Sequence, residues 1–403
     1  MRADDKAVHR WYRFVLAFPP HLVRHYFEQF GLSQGATILD PFCGTGTTIV
    51  EAKKAGLAGI GIEAAPMAHF ASAVKTRWNV DPDALVAHAN EVADRCRHGR
   101  DPVRLRTLPD EAMSLLLKDS VSPRPLHRTL SLLDAIKDFY DEQFTDYERL
   151  ALARILPSDV GNLRFGPEVG VSPKKKLDAP VIELWLAAIC DIADDLRSVQ
   201  SPVLSRAILG DSRDVLSWIS PGSVDAVITS PPYPNEKDYT RTTRLESVVL
   251  GFMSTRSELR AYKKTLVRSN TRTVYVDDDD DRWVSDHPEV QRIADEIEFR
   301  RVSMGKTSGF ERQYHRVARL YFGGMARHLE QLKRVLRPGA RLAYVVGDQA
   351  SYLRVMIRTD QVLADLAEWQ GYEVDRIDLF RTRPATATGE LLREEVVILR
   401  WPG

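Results

Sequence analysis

The chain reads as a doubly wound α/β sheet interrupted by two insertions, and three observations predict it. A short apolar strand, ATILD, runs into a glycine loop, DPFCGTGTT, and then into a helix, TTIVEAKKAG. A second strand, GIGIE, follows, and strand–loop–helix–strand is the opening of a doubly wound sheet. A third apolar run, VDAVI, ends in Ser230-Pro231-Pro232-Tyr233 far along the chain, after a long helical stretch that such a sheet does not need.

The elements follow in order. After Pro19-Pro20, the residues Leu22, Val23, Tyr26, Phe27 and Phe30 recur at helical spacing, and Gly31 closes the run. Residues 66–200 read as mostly helical, as in LSLLDAIKDFYDEQF and VIELWLAAICDIADDLRSV. Between these lies GNLRFGPEVGVSPKKK, which reads as a loop from its Gly, Pro and Lys content. The α/β rhythm resumes at RAILGDSRDVL and VDAVITSPPY, and a charged stretch from about 253 to 315 breaks it again. A helix over 314–336 should end at Pro338-Gly339, with RLAYVVGD as the next strand. A helix near 358–370 and two strands, EVDRIDLFR and EEVVILRW, complete the pattern.

This reading divides the chain into five parts. Residues 1–75 carry the first half of the sheet and the cofactor loop, and 76–204 form a mostly helical insertion. Residues 205–252 carry the SPPY strand and loop, 253–318 a charged insertion, and 319–403 the second half of the sheet. The insertions are the candidate recognition regions, because loops vary on a common scaffold.

Composition bounds the class. With 403 residues, 44% hydrophobic and 28% charged, the chain is neither disordered nor collagen-like and exceeds one ordinary core. No apolar run approaches the ~20 residues of a membrane span, and MRADDKAVHRWYR lacks the apolar core of a signal peptide. Cys43, Cys96 and Cys190 lie too far apart for a disulfide framework or a zinc site. The expectation is a cytoplasmic protein with no membrane partner and no metal.

Lys plus Arg equal Asp plus Glu at 56 each, which taken alone disfavours a nucleic-acid partner. The charges are segregated, however. Residues 241–272 hold 8 basic and 2 acidic side chains, 277–298 hold 2 and 10, and 299–319 hold 6 and 1. Lys174 to Lys176 and an arginine cluster, Arg95, Arg97, Arg100, Arg104 and Arg106, add basic patches. A solvated face is the ordinary reading of any one run. Proximity to the SPPY loop favours nucleic acid for 241–272 and 299–319. The acidic block reads either as a lid or as a repulsive boundary.

The glycine loop points to a nucleoside cofactor. Gly44 and Gly46 let backbone approach a ligand, but Ile49 stands where a dinucleotide fingerprint has its third glycine. Asp40 ends its strand where a carboxylate can take an ammonium group. Glu63 ends the next strand, placed for ribose hydroxyls, with a solvated strand end as the competing reading. An ammonium and a ribose together describe S-adenosylmethionine better than a pyrophosphate cofactor. Phe42 reads either as a cofactor contact or as core.

The SPPY loop is the sharpest signal. Two successive prolines carry no N–H, so the loop cannot extend a ladder, yet their carbonyls remain acceptors. A hydroxyl before them and an aromatic after them suit a planar base with an exocyclic amine. Ser230 and the Pro231 carbonyl would accept from the amine while Tyr233 stacks on the ring. The chain has no Pro-Cys pair, which disfavours covalent attack on a pyrimidine ring.

These motifs resemble the amino-group DNA methyltransferases, which modify cytosine N4 or adenine N6. WYRFVLAFPPHLVRHYF resembles the family's N-terminal cofactor segment, and DPFCGTGTT and GIGIEAAPMAHF its first two cofactor motifs. LGDSRDVL resembles the third, TSPPYPNEKDYTRTTRLE the catalytic motif, and LKRVLRPGARLAYVVGD the strand after it. The resemblance implies a Rossmann-like methyltransferase sheet. It also implies cofactor contacts at Phe18, Asp40, Pro41, Phe42, Gly44, Thr45, Gly46, Thr47, Thr48, Glu63, Ala64, Asp211 and Ser212, with Asp211 facing the adenine. Ser230, Pro231, Pro232 and Tyr233 would be catalytic. Ser at the first position is more typical of cytosine N4 enzymes, with exceptions.

The implied partner is double-stranded DNA, with a cognate restriction endonuclease as a candidate second partner, in the nucleoid region of a prokaryotic cytoplasm. The product cofactor would be S-adenosylhomocysteine. Unlike the usual layouts, almost nothing follows the last strand, and the helical insertion precedes Asp211. Two other readings stay open. One is an RNA amino-group methyltransferase, although no room precedes the pattern for a separate RNA-binding domain. The other is a DNA-binding protein that retains the fold without activity.

Overall fold

The computed structural model describes residues 5–13, 17–97, 105–166, 168–235, 237–384 and 391–403. Phe14 to Leu16, Arg100 and Arg104 lie outside the described residues. The elements run α1 (Pro20–Gln29), β1 (Thr37–Asp40), α2 (Thr47–Lys54), β2 (Ala58–Glu63) and α3 (Pro66–Lys75). Helices follow: α4 (Pro82–Arg97), α5 (Asp110–Leu115), α6 (Pro123–Asp138) and α7 (Thr145–Ile155). Then come β3 (Leu163–Phe165), β4 (Val169–Val171), α8 (Val181–Ser198), β5 (Ser205–Leu209) and β6 (Val224–Thr229). The remainder is α9 (Arg244–Val249), α10 (Arg256–Lys264), α11 (Pro288–Ser303), α12 (Tyr314–Leu332), β7 (Leu336–Gly347), α13 (Thr359–Trp369), β8 (Glu373–Pro384) and β9 (Leu391–Arg400).

Seven strands form one sheet in the order β5-β2-β1-β6-β7-β9-β8. The first five are parallel, and β9 lies antiparallel between β7 and β8. Strand alternation divides the sheet's side chains between two cores. Ile38, Ala226, Ile228, Ala343, Val345, Val396 and Ile398 face α1 and α2. Leu39, Val227, Leu342, Tyr344, Val346, Val397 and Leu399 face α11, α12 and α13. Helices therefore cover both faces, as a doubly wound sheet requires. Strands β1 and β6 are neighbours at the point where the order reverses, so their carboxyl ends open the crevice in which such sheets bind ligands.

The helices α3 to α8 build a third core that also takes in Val8, Trp11 and Tyr12. Asp195 near the end of α8 holds this N-terminal segment. It accepts from the Val8 N–H at 2.9 Å, the Arg10 guanidinium at 2.8 Å and the Trp11 indole at 2.9 Å. Buried Lys75 donates to the carbonyls of Tyr12 at 2.5 Å and Thr45 at 3.1 Å, joining that segment to the glycine loop. Among the described residues no helix is long and apolar enough to cross a membrane.

Three expectations are corrected. GNLRFGPEVGVSPKKK is not a plain loop: Leu163–Phe165 and Val169–Val171 pair as a hairpin. The long helix ends at Leu332, and Leu336–Gly347 is already strand. Pro338-Gly339 does not stop a helix but fills a bulge, where the register jumps from Val224–Leu336 to Ala226–Arg341 and Gly339 takes φ +85°.

The acidic block is tied down at its start. Asp278 pairs with Arg268 at 2.7 Å, buried Asp280 with Arg213 and Arg327, and Asp277 with Lys264 at 2.5 Å. Gly323 of α12 leaves room for the Asp280 carbonyl, where any Cβ would clash. Asp277 and Asp278 are thus counter-charges to the basic run before them, and Asp280 to Arg213 and Arg327.

Candidate active site

The loops after β1 and β6 meet over the switch point. Thr229, the last residue of β6, donates its hydroxyl to Asp40 at 2.6 Å, and the Phe42 N–H reaches the same oxygen at 3.1 Å. The other Asp40 oxygen is buried with no partner among the described residues. Burial pushes this carboxyl up to about 6, against the pull of Thr229, Thr48 and the Phe42 N–H. Thr48, in the first turn of α2, donates to the Ile228 carbonyl at 3.0 Å and ties the helix to β6.

Glu63 shapes the glycine loop from the next strand. Its two oxygens accept from the Gly44 and Ala65 N–H groups, each at 2.7 Å. Burial pushes its carboxyl up to about 7 despite those donors. Gly44 (φ +53°) and Gly46 (φ +88°) both need left-handed backbone, and a Cβ on Gly46 would sit 2.9 Å from the Ser72 Cβ.

A cavity of about 670 Å³ opens above these loops. Its wall includes Phe18, Pro41, Phe42, Gly44, Glu63, Ala64 and Ser212 on one side, and Ser230, Pro231, Pro232 and Tyr233 on the other. Ser230 donates to the Val345 carbonyl of β7 at 3.1 Å. Its one proton is thereby committed, which leaves its oxygen to act as an acceptor at the cavity wall. The Tyr233 N–H is held by the Tyr239 hydroxyl at 3.1 Å, and its ring rests against Gly347. A Cβ at Gly347 would stand 3.1 Å from that ring and 3.2 Å from Glu394.

Six expected cofactor residues do not form the wall. Asp40 lies beneath the loop. The Thr45 carbonyl is taken by Lys75, Gly46 packs on Ser72, and Thr47 and Thr48 are buried in the start of α2. Asp211 is not among the wall residues, and Arg213 grips both its oxygens, at 2.6 Å at the closest.

The cavity also has walls that motif reading did not supply. Glu168 arrives from the β3–β4 hairpin, Tyr262 from α10, and Arg381, Arg383 and Glu394 from the β8–β9 pair. Glu394 accepts from Arg381 at 2.5 Å, with Arg383 at 3.4 Å. The pair of glutamates that opens EEVVILRW, ahead of the apolar run VVIL, is the one signal that could have revealed it.

The donors present fit a nucleoside sulfonium: an orphaned buried carboxylate oxygen at Asp40, a strand-end carboxylate at Glu63, and aromatic walls at Phe18 and Phe42. A glycine loop and a Ser-Pro-Pro-Tyr loop at one switch point define an S-adenosylmethionine-dependent methyltransferase. A family described as DNA methylase matches residues 9–72.

The chain is 26% identical to the Type II methyltransferase M.BsoBI of Geobacillus stearothermophilus, over 98% of this chain and 84% of the relative. It is 22% identical to the Type II methyltransferase M.AvaI of Anabaena variabilis, over 99% and 87% respectively. Among solved structures, an rRNA methyltransferase, aviRa of Streptomyces viridochromogenes, aligns at a TM-score of 0.36. That alignment has 12% identity and covers 100% of this chain and 94% of the other. The chain is thus similar to the amino-group methyltransferases that modify N6 or N4.

Proposed function

We propose that the chain methylates the exocyclic amine of a base flipped out of double-stranded DNA, with cytosine N4 favoured over adenine N6. The observation that carries this is the shared cavity: the Ser230–Tyr233 loop faces the Phe42–Glu63 side across one space, and Thr229 bonds the two loops. The relatives are named as Type II methyltransferases, which supports DNA as the substrate.

S-adenosylmethionine supplies an electrophilic methyl on a sulfonium. Phe18, Phe42, Gly44 and Glu63 would hold it, with Asp40 beneath them. Ser230 accepts a hydrogen bond from one amine N–H, because its own proton is donated to Val345, and the proton released on methylation leaves to solvent. The Pro231 carbonyl accepts the other, which favours a pyramidal and more nucleophilic nitrogen. Tyr233, backed by Gly347, stacks on the base. Fixed dipoles and alignment then supply most of the acceleration, with no covalent intermediate on the protein. The first-position serine is what favours cytosine.

Both insertions would contact DNA. The β3–β4 hairpin supports this for the first, since it carries Glu168 to the cavity. A cognate endonuclease and a prokaryotic cytoplasm fit a Type II enzyme. Expression in a methylation-free host, followed by modification-sensitive sequencing of its DNA, should show N4-methylcytosine at one short motif. N6-methyladenine would reassign the base. Labelled methyl transfer to transfer RNA and not to DNA would reassign the substrate.

A further inference from the structure

Asp348, Asp360 and Glu395 converge behind the wall on which Tyr233 rests. Asp348 follows the last residue of β7, Asp360 lies in the first turn of α13, and Glu395 lies in β9. They are 1%, 3% and 1% exposed. One oxygen from each can be chosen so that all three lie within 4.8 Å of one another. The basic groups against them are Arg358, on one Asp348 oxygen, and Arg393, on one Glu395 oxygen. The Arg393 N–H also reaches the bonded Asp348 oxygen, at 3.3 Å. Asp348 Oδ1, Asp360 Oδ1 and Glu395 Oε2 have no partner among the described residues.

Burying an acceptor without a donor is costly, and here three carboxylates supply one such oxygen each. Two guanidiniums against three carboxylates leave one negative charge uncompensated. A proton shared between two carboxyls bridges two oxygens and leaves the third orphaned. A hard cation bonds oxygens at about 2.4 Å, so ligands on opposite sides of it stand about 4.8 Å apart. One oxygen from each carboxylate lies within that span of the other two, so a single ion can take a ligand from all three residues.

We propose that Asp348, Asp360 and Glu395 bind a hard divalent cation of the Ca²⁺ or Mn²⁺ class. The site is structural: it ties β7, β9 and α13 together directly behind Gly347 and Glu394, which flank Tyr233. It departs from the expectation of no metal because its ligands come from three elements with no ligand spacing in sequence. It does not depend on the methyl-transfer reading.

The test uses the full chain, stripped with EDTA, without DNA or S-adenosylmethionine. Saturating Mn²⁺ should raise the melting temperature by about 3 °C or more. Electron paramagnetic resonance should count one bound Mn²⁺ per chain. Asp360→Asn and Asp348→Asn should lose both effects, while Asp279→Asn, at an exposed position of the acidic run, keeps them. Should the variants fail to fold, Mn²⁺ anomalous scattering from the wild-type protein should place the ion between the three carboxylates. The absence of bound Mn²⁺ in the wild type overturns the proposal, as does Mn²⁺ retained by folded Asp360→Asn. Stabilisation by acid alone, with no Mn²⁺ bound, assigns the cluster to a shared proton and overturns it too.

Discussion

Thr229 donates to Asp40 across the β1–β6 boundary at 2.6 Å, so the residue before the Pro-Pro loop is bonded to the residue that opens the glycine loop. The two halves of the site are thus set in register by one buried hydrogen bond. Neither loop can shift without breaking it.

Thr229→Val should therefore loosen both loops. The Asp40 carboxylate loses a donor while remaining buried, which costs about 1–3 kcal/mol. Asp40 already titrates above the ordinary aspartate range, at about 6, so its folded form holds the proton more tightly than the unfolded chain. That contribution to stability is full below about pH 4 and is lost as pH rises through about 6. The variant should lose more stability at pH 8 than at pH 5, as urea unfolding at the two values would measure. An equal loss at both would separate Asp40 from the effect.

Cofactor affinity should depend on Glu63. Its carboxyl titrates at about 7, so acidification through neutrality protonates the group that would accept from ribose. Calorimetry between pH 8 and pH 5.5 should show binding weaken by up to about tenfold per unit below pH 7. Glu63→Gln should bind weakly at every pH and flatten the profile. A wild-type profile without that slope would remove Glu63 from the cofactor site.

Gly347→Ala should act on the base and spare the cofactor. Its methyl would press on the Tyr233 ring at 3.1 Å and on Glu394 at 3.2 Å, so the ring must give way. Methyl transfer to duplex DNA should fall by about tenfold or more, as a small misplacement of a positioning group commonly costs. S-adenosylmethionine affinity should stay within about twofold of wild type.

Ser230→Ala removes an acceptor whose own proton is fixed on Val345. Turnover should drop by about 10²–10³, the range for losing one preorganised polar group at a reacting centre. The KM for S-adenosylmethionine should hold. A parallel rise in that KM would place Ser230 on the cofactor instead.

The parts of this site that are local in sequence were legible. Asp40 ends one apolar strand and Ser230 follows another, each at a loop of unmistakable turn chemistry, so their motifs survive without tertiary context. Glu168 and Glu394 were not legible, because each reaches the cavity from a hairpin that local pattern does not aim. The ion pair of Asp211 with Arg213, two residues on, was not legible, because the motif alone does not show which way either side chain turns. Pro338-Gly339 was read as a helix stop, since a bulge inside a strand carries the same two residues. The segregated charge was visible, but not that the chain folds its acidic run onto its basic one, as Arg268 and Asp278 show.

The grip of Asp195 on residues 8 to 11 bears on how this enzyme could be rebuilt. If the helical body reads DNA as proposed, it is a cassette to exchange between relatives. Its last helix, however, is fastened to the start of the chain, which Lys75 fastens in turn to the glycine loop. A chimera that trades 76–204 alone would leave the acceptor in one parent and its three donors in the other. Transplanted specificity would have to travel with the N-terminal segment, two stretches of chain inherited as one.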